Sequence, residues 1–144
     1  MAQGIEFIES LKHEFELKDI DIRTYSPLSL AYIGDAVYDL MVRTVVVLKG
    51  NTSNEKLHKT SVKYVSARAQ AKIIDSLKDE LSEDEAAIYR RGKNSKPSST
   101  AKNATLSEYL RATGFEALIG YLYLMNRQER IIELVKKGIE IIDE

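Results

Sequence analysis

Apolar residues recur every three or four positions along most of this chain, which is the spacing that gives a helix one buried face. The seven glycines and two prolines leave few places at which such helices can break. Strands alternate polar and apolar residues instead, and the sequence shows no convincing run of that kind. The pattern therefore predicts an all-α domain, with a peripheral first helix within residues 1–24 formed around Ile5, Ile8, Leu11 and Phe15.

The second predicted helix has a clear start and a clear end. Ser26 can accept a hydrogen bond from a free backbone N–H of the first turn, and Pro27 fits the first helical position. The helix is expected to run to about Lys49 and to stop at Gly50. Apolar residues cover more than one of its faces, as expected of a central helix that also contacts a partner.

Three capping boxes, each a Ser or Thr followed three residues later by Glu, predict further helix starts: Thr52 with Glu55, Ser82 with Glu85, and Thr105 with Glu108. These helices are predicted to end, in order, at about Leu77, Gly92 and Leu124, and a last helix follows from Arg127 to about Asp143. Thr60-Ser61 marks a candidate break in the first of them.

The stretch that departs most from the helical pattern is basic. Residues 90–104 include "RRGKNSKPSSTAKN", which holds five basic residues and no acid, with glycine, serine and proline in its middle. Long loops inside compact domains are often functional, yet many basic loops are merely solvated. The sequence pattern leaves both interpretations open.

Composition narrows the class of protein. A chain of 144 residues with 44% hydrophobic residues fits a single domain over residues 1–144. The absence of cysteine excludes disulfides and thiolate metal sites, and the N-terminal segment lacks a secretory signal pattern. The longest apolar run, "VVVL" at 45–48, is too short to span a membrane. Since the net charge is −1, any attraction to nucleic acid must be local.

Three carboxylates stand out because they lie in otherwise apolar runs. Asp35 and Asp39, in "AYIGDAVYDL" at 31–40, lie one helical turn apart and share a face. Glu116 is the single acid in "TGFEALIGYLYL" at 113–124. A buried carboxylate needs a partner, which is a hydrogen bond, a cationic side chain or a metal ion. Oxygen ligands on two facing helices suit Mg²⁺ or Mn²⁺, but periodicity does not show whether these helices are neighbours.

Two of these runs resemble the motifs of a known family. "YIGDAVYDL" is similar to the signature helix of ribonuclease III, and "FEALIGYLYL" to its second acidic motif. The intervening "LHKTSVKYVSARAQA", the "RGKNSK" loop and the following "KN" resemble more specifically the Mini-III branch, which lacks a separate double-stranded-RNA-binding domain. The match runs in order from roughly Leu28 to Asn126. Because the sequence ends at Glu144, soon after the last predicted helix, no such domain is expected to follow.

The resemblance implies a ribonuclease III-like helical bundle in which Asp35 and Glu116 are the catalytic and metal-binding carboxylates. Asp39 is a secondary candidate for the metal. Ala31 and Thr113 stand where larger ribonucleases III have a Glu and an Asp, and the Mini-III branch resembles this chain at both positions. The implied cofactor is Mg²⁺, for which Mn²⁺ can substitute, and the number of ions stays open.

The resemblance further implies a homodimer whose signature helices meet at a two-fold axis through Tyr32, Ile33 and Val37. The implied activity is hydrolysis of double-stranded RNA in the cytoplasm, in the maturation of the large-subunit (23S) ribosomal RNA precursor. A ribosomal protein is a further candidate partner, and no membrane is involved. Without an accessory domain the catalytic domain itself must contact the duplex, and the candidate residues all lie in the basic loop: Arg91, Lys93, Asn94, Lys96, Lys102 and Asn103.

Two alternatives to the enzyme remain at this stage. A non-catalytic ribonuclease-III-like dimer that holds structured RNA or ribosomal protein is favoured by the absence of acids at Ala31 and Thr113. Retention of Asp35 and Glu116 favours the enzyme instead. The second alternative, an all-α protein-interaction module, would require both acids and the basic loop to be incidental.

Overall fold

The computed structural model describes residues 3–95 and 104–144, and within these ranges the regular elements are all helices. The α-helices are α1 (Gln3–Glu14), α2 (Pro27–Lys49), α3 (Asn54–Val65), α4 (Ala67–Leu77), α5 (Glu83–Lys93), α6 (Leu106–Leu124) and α7 (Gln128–Asp143). Two single-turn 3₁₀ helices lie at Ile22–Thr24 and Lys78–Glu80. The predicted all-α class is confirmed. No helix in the described ranges combines the length and the apolar character that crossing a bilayer requires.

Helix α6 is the centre of the bundle. It packs against α2, α5 and α4, and ten of its nineteen residues are buried. Helix α3 packs beside α2, and α7 packs against α4 and α6. The two predicted core-type helices, α2 and α6, are therefore direct neighbours.

Three of the four predicted side-chain caps are formed. The hydroxyl of Ser26 accepts a hydrogen bond from the backbone N–H of Ser29, and α2 ends at Lys49 as predicted. The capping boxes that begin at Ser82 and Thr105 are both formed, so the starts of α5 and α6 are confirmed as well. These caps are contacts within one turn, which is why the sequence alone is sufficient to locate them.

Three boundaries differ from the prediction. Helix α3 is capped by Ser53, one residue after the predicted Thr52. The break between α3 and α4 falls at Ser66 rather than near Thr60, because Ser66 adopts an extended backbone (φ −63°, ψ 154°) and its hydroxyl caps α4. Helix α5 runs to Lys93, so the first residues of the predicted 90–104 loop are helical.

Glycines allow α2 and α6 to touch backbone to backbone. A Cβ added to Gly34 would lie 1.7 Å from the carbonyl oxygen of Glu116, and one added to Gly120 would lie 1.9 Å from the carbonyl oxygen of Leu30. No side chain fits at either position, because both obstacles are backbone atoms that cannot move aside alone. The crossing therefore brings the segment around Asp35 directly against the segment around Glu116.

A buried ion pair fastens α5 to α7. Arg130 donates from Nε to Oε2 of Glu85 (2.9 Å) and from a terminal nitrogen to Oε1 (2.8 Å). Burial acts to raise the pKa of Glu85, but hydrogen bonds from Arg130 and from the Ser82 backbone, with the charge of Arg130, hold it below its ordinary value. Glu85 is therefore a buried carboxylate with a complete structural explanation.

We expect Gly34→Ala to lower the free energy of unfolding by at least about 3 kcal/mol, because the new methyl group forces two helix backbones apart. Gly50→Ala is the matched control, since nothing lies within 4 Å of the added Cβ there. Urea unfolding of both variants measures the effect. Equal stability of the two variants would contradict the close contact between α2 and α6.

Candidate active site

Two carboxylates from different helices meet where α2 crosses α6. Asp35 lies beside Gly34 on α2, and its side chain is within hydrogen-bonding reach of the Glu116 carboxyl on α6. Burial of Glu116, together with the hydrogen bond and the negative charge of Asp35, raises the pKa of Glu116 to about 8. Asp35 itself is exposed and Glu116 is half-buried, so the two carboxylates of the pair lie at different depths.

Gln70 is a third member of this cluster, and the sequence analysis missed it. Its side chain lies on α4, is 2% exposed, and donates from Nε2 to the carbonyl of Val65 (3.0 Å) and to Oε2 of Glu116 (3.3 Å). Its Oε1 is buried and has no hydrogen-bond partner within the described residues. The signal in the sequence is a long polar side chain among the buried alanines and isoleucines of α4.

The two positions one turn before the acids supply no further carboxylate. Ala31 and Thr113 are both buried, and the Thr113 hydroxyl donates to the carbonyl of Tyr109 (3.0 Å). In the part of the chain that the structure describes, no group of three or more Asp, Glu, His or Cys side chains is placed to hold a metal ion. Protein carboxylates at this site therefore come from Asp35 and Glu116.

The residues at the crossing fit a divalent cation. Over residues 7–95 and 104–144, no Lys or Arg side chain forms a salt bridge with Asp35 or Glu116. Adjacent carboxylates without a countercharge are costly to hold near a protein interior, and Mg²⁺ prefers such oxygen ligands and retains several waters. The unpartnered Oε1 of Gln70 is a buried acceptor of the kind that an ordered water satisfies.

Asp39, the secondary metal candidate, has a different partner. Its carboxylate forms a salt bridge with Nε of Arg43 one turn later on α2 (3.0 Å). This ion pair explains the acid without a metal, since pairs at this spacing are common on helix surfaces. A metal role for Asp39 stays a prediction.

Comparison with known proteins places this architecture in a family. The Ribonuclease III domain model matches residues 28–127. This chain belongs to the ribonuclease III family. That family consists of endoribonucleases, so the recognition made from the two acidic motifs is confirmed.

The relatives in this family are similar over most of their length. The Mini-ribonuclease 3 of Clostridium tetani is 44% identical over 125 residues, which cover 86% of this chain and 83% of that protein. The Mini-ribonuclease 3 of Staphylococcus aureus is 43% identical over 129 residues, covering 88% and 96%. A crystal structure of a Fusobacterium nucleatum protein superposes with a TM-score of 0.77 at 34% identity, covering 85% of this chain and 98% of the other. The Mini-III branch of the ribonuclease III family is thus the group that this chain resembles.

Three of the loop residues predicted to bind RNA lie within the described part of the chain: Arg91, Lys93 and Asn94. Arg91 donates to the backbone carbonyls of Arg23 (3.3 Å) and Tyr25 (3.2 Å), and therefore ties the chain before α2 to the end of α5. Lys93 is half-buried in the last turn of α5, and Asn94 is exposed just after it. The other predicted contacts lie outside the described residues: Lys96, Lys102 and Asn103.

The predicted dimer residues lie on a helix with a long exposed apolar surface. Tyr32 is 83% exposed, whereas Ile33 and Val37 are half-buried, and Val37 packs against the core. A row of exposed residues, which the sequence analysis did not single out, lies at every fourth position of α2: Leu28, Tyr32, Ala36, Leu40, Thr44 and Leu48. We call this row the α2 outer row.

Replacing Arg91 by Lys should loosen the segment before α2, because a single ammonium group cannot reproduce the two guanidinium contacts. We expect backbone amides over residues 21–26 to exchange with solvent about fivefold faster, which corresponds to roughly 1 kcal/mol of lost local stability. Hydrogen exchange read by mass spectrometry measures this. Arg90→Lys, the same change one residue earlier, should leave the segment as it is; equal exchange in both variants would show that the Arg91 contacts do not stabilise it.

Proposed function

We propose that this protein is a divalent-metal-dependent endoribonuclease that hydrolyses phosphodiester bonds in double-stranded RNA. The observation that carries the proposal is the pairing of Asp35 with Glu116 at the crossing of α2 and α6, where no Lys or Arg of the described side chains neutralises them. Membership of the ribonuclease III family supports the same reading. The metal-binding and catalytic residues are Asp35 and Glu116.

Mg²⁺, or Mn²⁺ in its place, would supply a Lewis acid that activates water and stabilises the charge of an in-line displacement. The protein's part is to hold two carboxylates at a fixed separation and at different depths. Glu116 is fixed within the bundle by its contact with Gln70, while the exposed Asp35 faces the solvent from which RNA approaches. This division of roles requires no Ser, His or Lys nucleophile.

The duplex would be held through its phosphates by the 90–104 loop. Lys93 and Asn94 lie at the start of that loop, and Lys96, Lys102 and Asn103 follow in the sequence. Arg91 uses two of its five N–H donors on backbone carbonyls, which anchors the base of the loop and leaves other donors for RNA. Duplex RNA is read mainly by shape and by phosphate and 2′-hydroxyl contacts, which suits such a loop.

The active form in this proposal is a homodimer joined through the α2 outer row, Tyr32, Ile33 and Val37. Tyr32 and Leu40 are 83% and 66% exposed and lie about two turns apart on the same side of α2, and neighbouring exposed apolar side chains mark an interaction face. Two sites in one dimer would cut opposite strands and leave short 3′ overhangs. The natural substrate would be the large-subunit (23S) ribosomal RNA precursor in the cytoplasm, with a ribosomal protein as an accessory partner.

One observation favours a second candidate, a dimer that binds structured RNA without cutting it. The neighbours Ala31 and Thr113 contribute no carboxylate, so the site has fewer ligands than larger enzymes of the family have by resemblance. Cleavage of long duplex RNA in the presence of Mg²⁺ or Mn²⁺ decides between the two functions. Binding without cleavage in both metals would support the second candidate.

Asp35→Asn and Glu116→Gln should each abolish cleavage of duplex RNA, because each removes one anionic oxygen ligand while keeping the size of the side chain. Binding to the duplex in Ca²⁺, which we expect to support binding with little cleavage, should persist in both variants. Glu133→Gln makes the same chemical change on the exposed surface of α7 and should cut like the parent. Denaturing gels and filter binding give the two readouts. An Asp35→Asn protein that cuts at the parental rate would remove the catalytic assignment.

Leu40→Glu should convert the protein from a dimer into a monomer, because it places a charge in the middle of the α2 outer row. Sedimentation at micromolar concentration should fall from about twice to about once the chain mass of 16.3 kDa. Ile132→Glu is the control, since Ile132 is also exposed (58%) but lies on α7. A parent protein that sediments as a monomer while fully active would contradict the dimer.

A further inference from the structure

We propose that Gln70 is a positioning residue, which holds the Glu116 carboxylate in the orientation that a divalent cation needs. The inference rests on the proposed function, because it concerns the same Asp35–Glu116 site. It adds a residue from a third helix, α4, to the two helices that carry the acids. The geometry that supports it is the double hydrogen bond of the Gln70 amide.

The orientation of the Gln70 amide is fixed by its two acceptors. Both hydrogens of Nε2 are used, one by the carbonyl of Val65 (3.0 Å) and one by Oε2 of Glu116 (3.3 Å). Rotating the amide by half a turn would set its Oε1 against these two acceptors, which would repel it. Only one orientation therefore satisfies the neighbours, and it presents a donor to the carboxylate.

The break between α3 and α4 creates the anchor for this amide. Val65 is the last residue of α3, and carbonyls at a helix end lack partners within the helix. The preceding carbonyl, of Tyr64, accepts from the hydroxyl of Tyr38 (2.8 Å), which holds this end of α3 against α2. The position of the Val65 carbonyl is thus held by the packing of α3 on α2. Its hydrogen bond with Gln70 in turn restricts the orientation of the Glu116 carboxylate.

The consequence for Glu116 is a fixed orientation of its carboxylate. Oε2 accepts from Gln70, and the remaining lone pairs of the carboxylate would be available to a cation held together with Asp35. Without Gln70 the carboxylate regains rotational freedom, and binding a cation must then restrict that freedom again. Loss of such an outer hydrogen-bond partner typically weakens metal binding 10- to 100-fold.

Gln70→Met tests the inference, because Met has a similar length and volume but no amide donors. In the absence of RNA, we expect the parent's melting temperature to rise as Mg²⁺ is added, and the Gln70→Met protein to need about 10- to 100-fold more Mg²⁺ for half of its rise. Half-maximal cleavage of saturating duplex RNA should need correspondingly more Mg²⁺. The RNA concentration for half-maximal rate at saturating Mg²⁺ should not change. A parental Mg²⁺ midpoint in Gln70→Met would overturn the proposal.

Two further variants separate positioning from general stability. Arg130→Met breaks the buried pair with Glu85 on α5 and α7, so it should lower the melting temperature while keeping the parental Mg²⁺ midpoint. If Gln70→Met does not fold, Gln70→Asn takes its place, because an amide one methylene shorter cannot span both acceptors. A Gln70→Asn protein with the parental midpoint would then overturn the proposal in the same way.

Asp35→Asn distinguishes failure of this inference from failure of the proposed function. If Asp35→Asn loses the Mg²⁺ response while Gln70→Met keeps the parental one, the site is right and Gln70 has no positioning role. If the parent and Asp35→Asn respond identically to Mg²⁺, the metal site itself is wrong. Loss of the response in Asp35→Asn with a raised midpoint in Gln70→Met supports both.

Discussion

The backbone contact between α2 and α6 determines where both acids of the candidate site lie. Gly34 and Gly120 face backbone atoms of the opposite helix at distances that leave no room for a Cβ. Such a contact permits little sliding or rotation, because any shift meets main-chain atoms rather than adaptable side chains. The residues beside it, Asp35 on one helix and Glu116 on the other, are therefore held at a set separation by the core itself.

The pKa values of two inward-facing carboxylates, Glu85 and Glu116, shift in opposite directions. Burial acts to raise both pKa values, but Arg130 and the Ser82 backbone reverse its effect at Glu85. At Glu116 the neighbouring Asp35 adds to the effect of burial, and the single hydrogen bond from Gln70 opposes it only in part. The negative charge of Glu85 is neutralised by Arg130, whereas no cationic side chain among the described residues is paired with Glu116. That difference, rather than burial alone, indicates a functional site.

The parts of the fold that depend on neighbouring residues could be predicted from the sequence. Ser26, Ser82 and Thr105 cap their own first turns, so local spacing locates them. The break falls at Ser66 rather than near Thr60, because the Thr60 hydroxyl donates to the Lys56 carbonyl within α3 while the Ser66 hydroxyl caps α4, a difference that spacing does not reveal. The meeting of Asp35 with Glu116 joins residues far apart in the chain, so helical periodicity does not show whether their helices are neighbours, and the family resemblance was the argument that placed them in one site.

Helix α2 carries Asp35 of the candidate site and also the surface proposed for dimerisation, so the distance between these two features is fixed by the helix itself. Tyr32 of the α2 outer row and Asp35 are three residues apart, which is about 4.5 Å along a helix axis. In a two-fold dimer through that row, the distance between the two sites would depend on one rigid helix and its contact with α6, without any intervening loop. An enzyme that cuts both strands of a duplex needs such a fixed spacing, because the strands present their phosphates at a separation that the helical geometry of RNA imposes. In such a dimer, the exposed residues around Tyr32 and the glycine contact of α2 would together set this spacing, from opposite sides of the same helix.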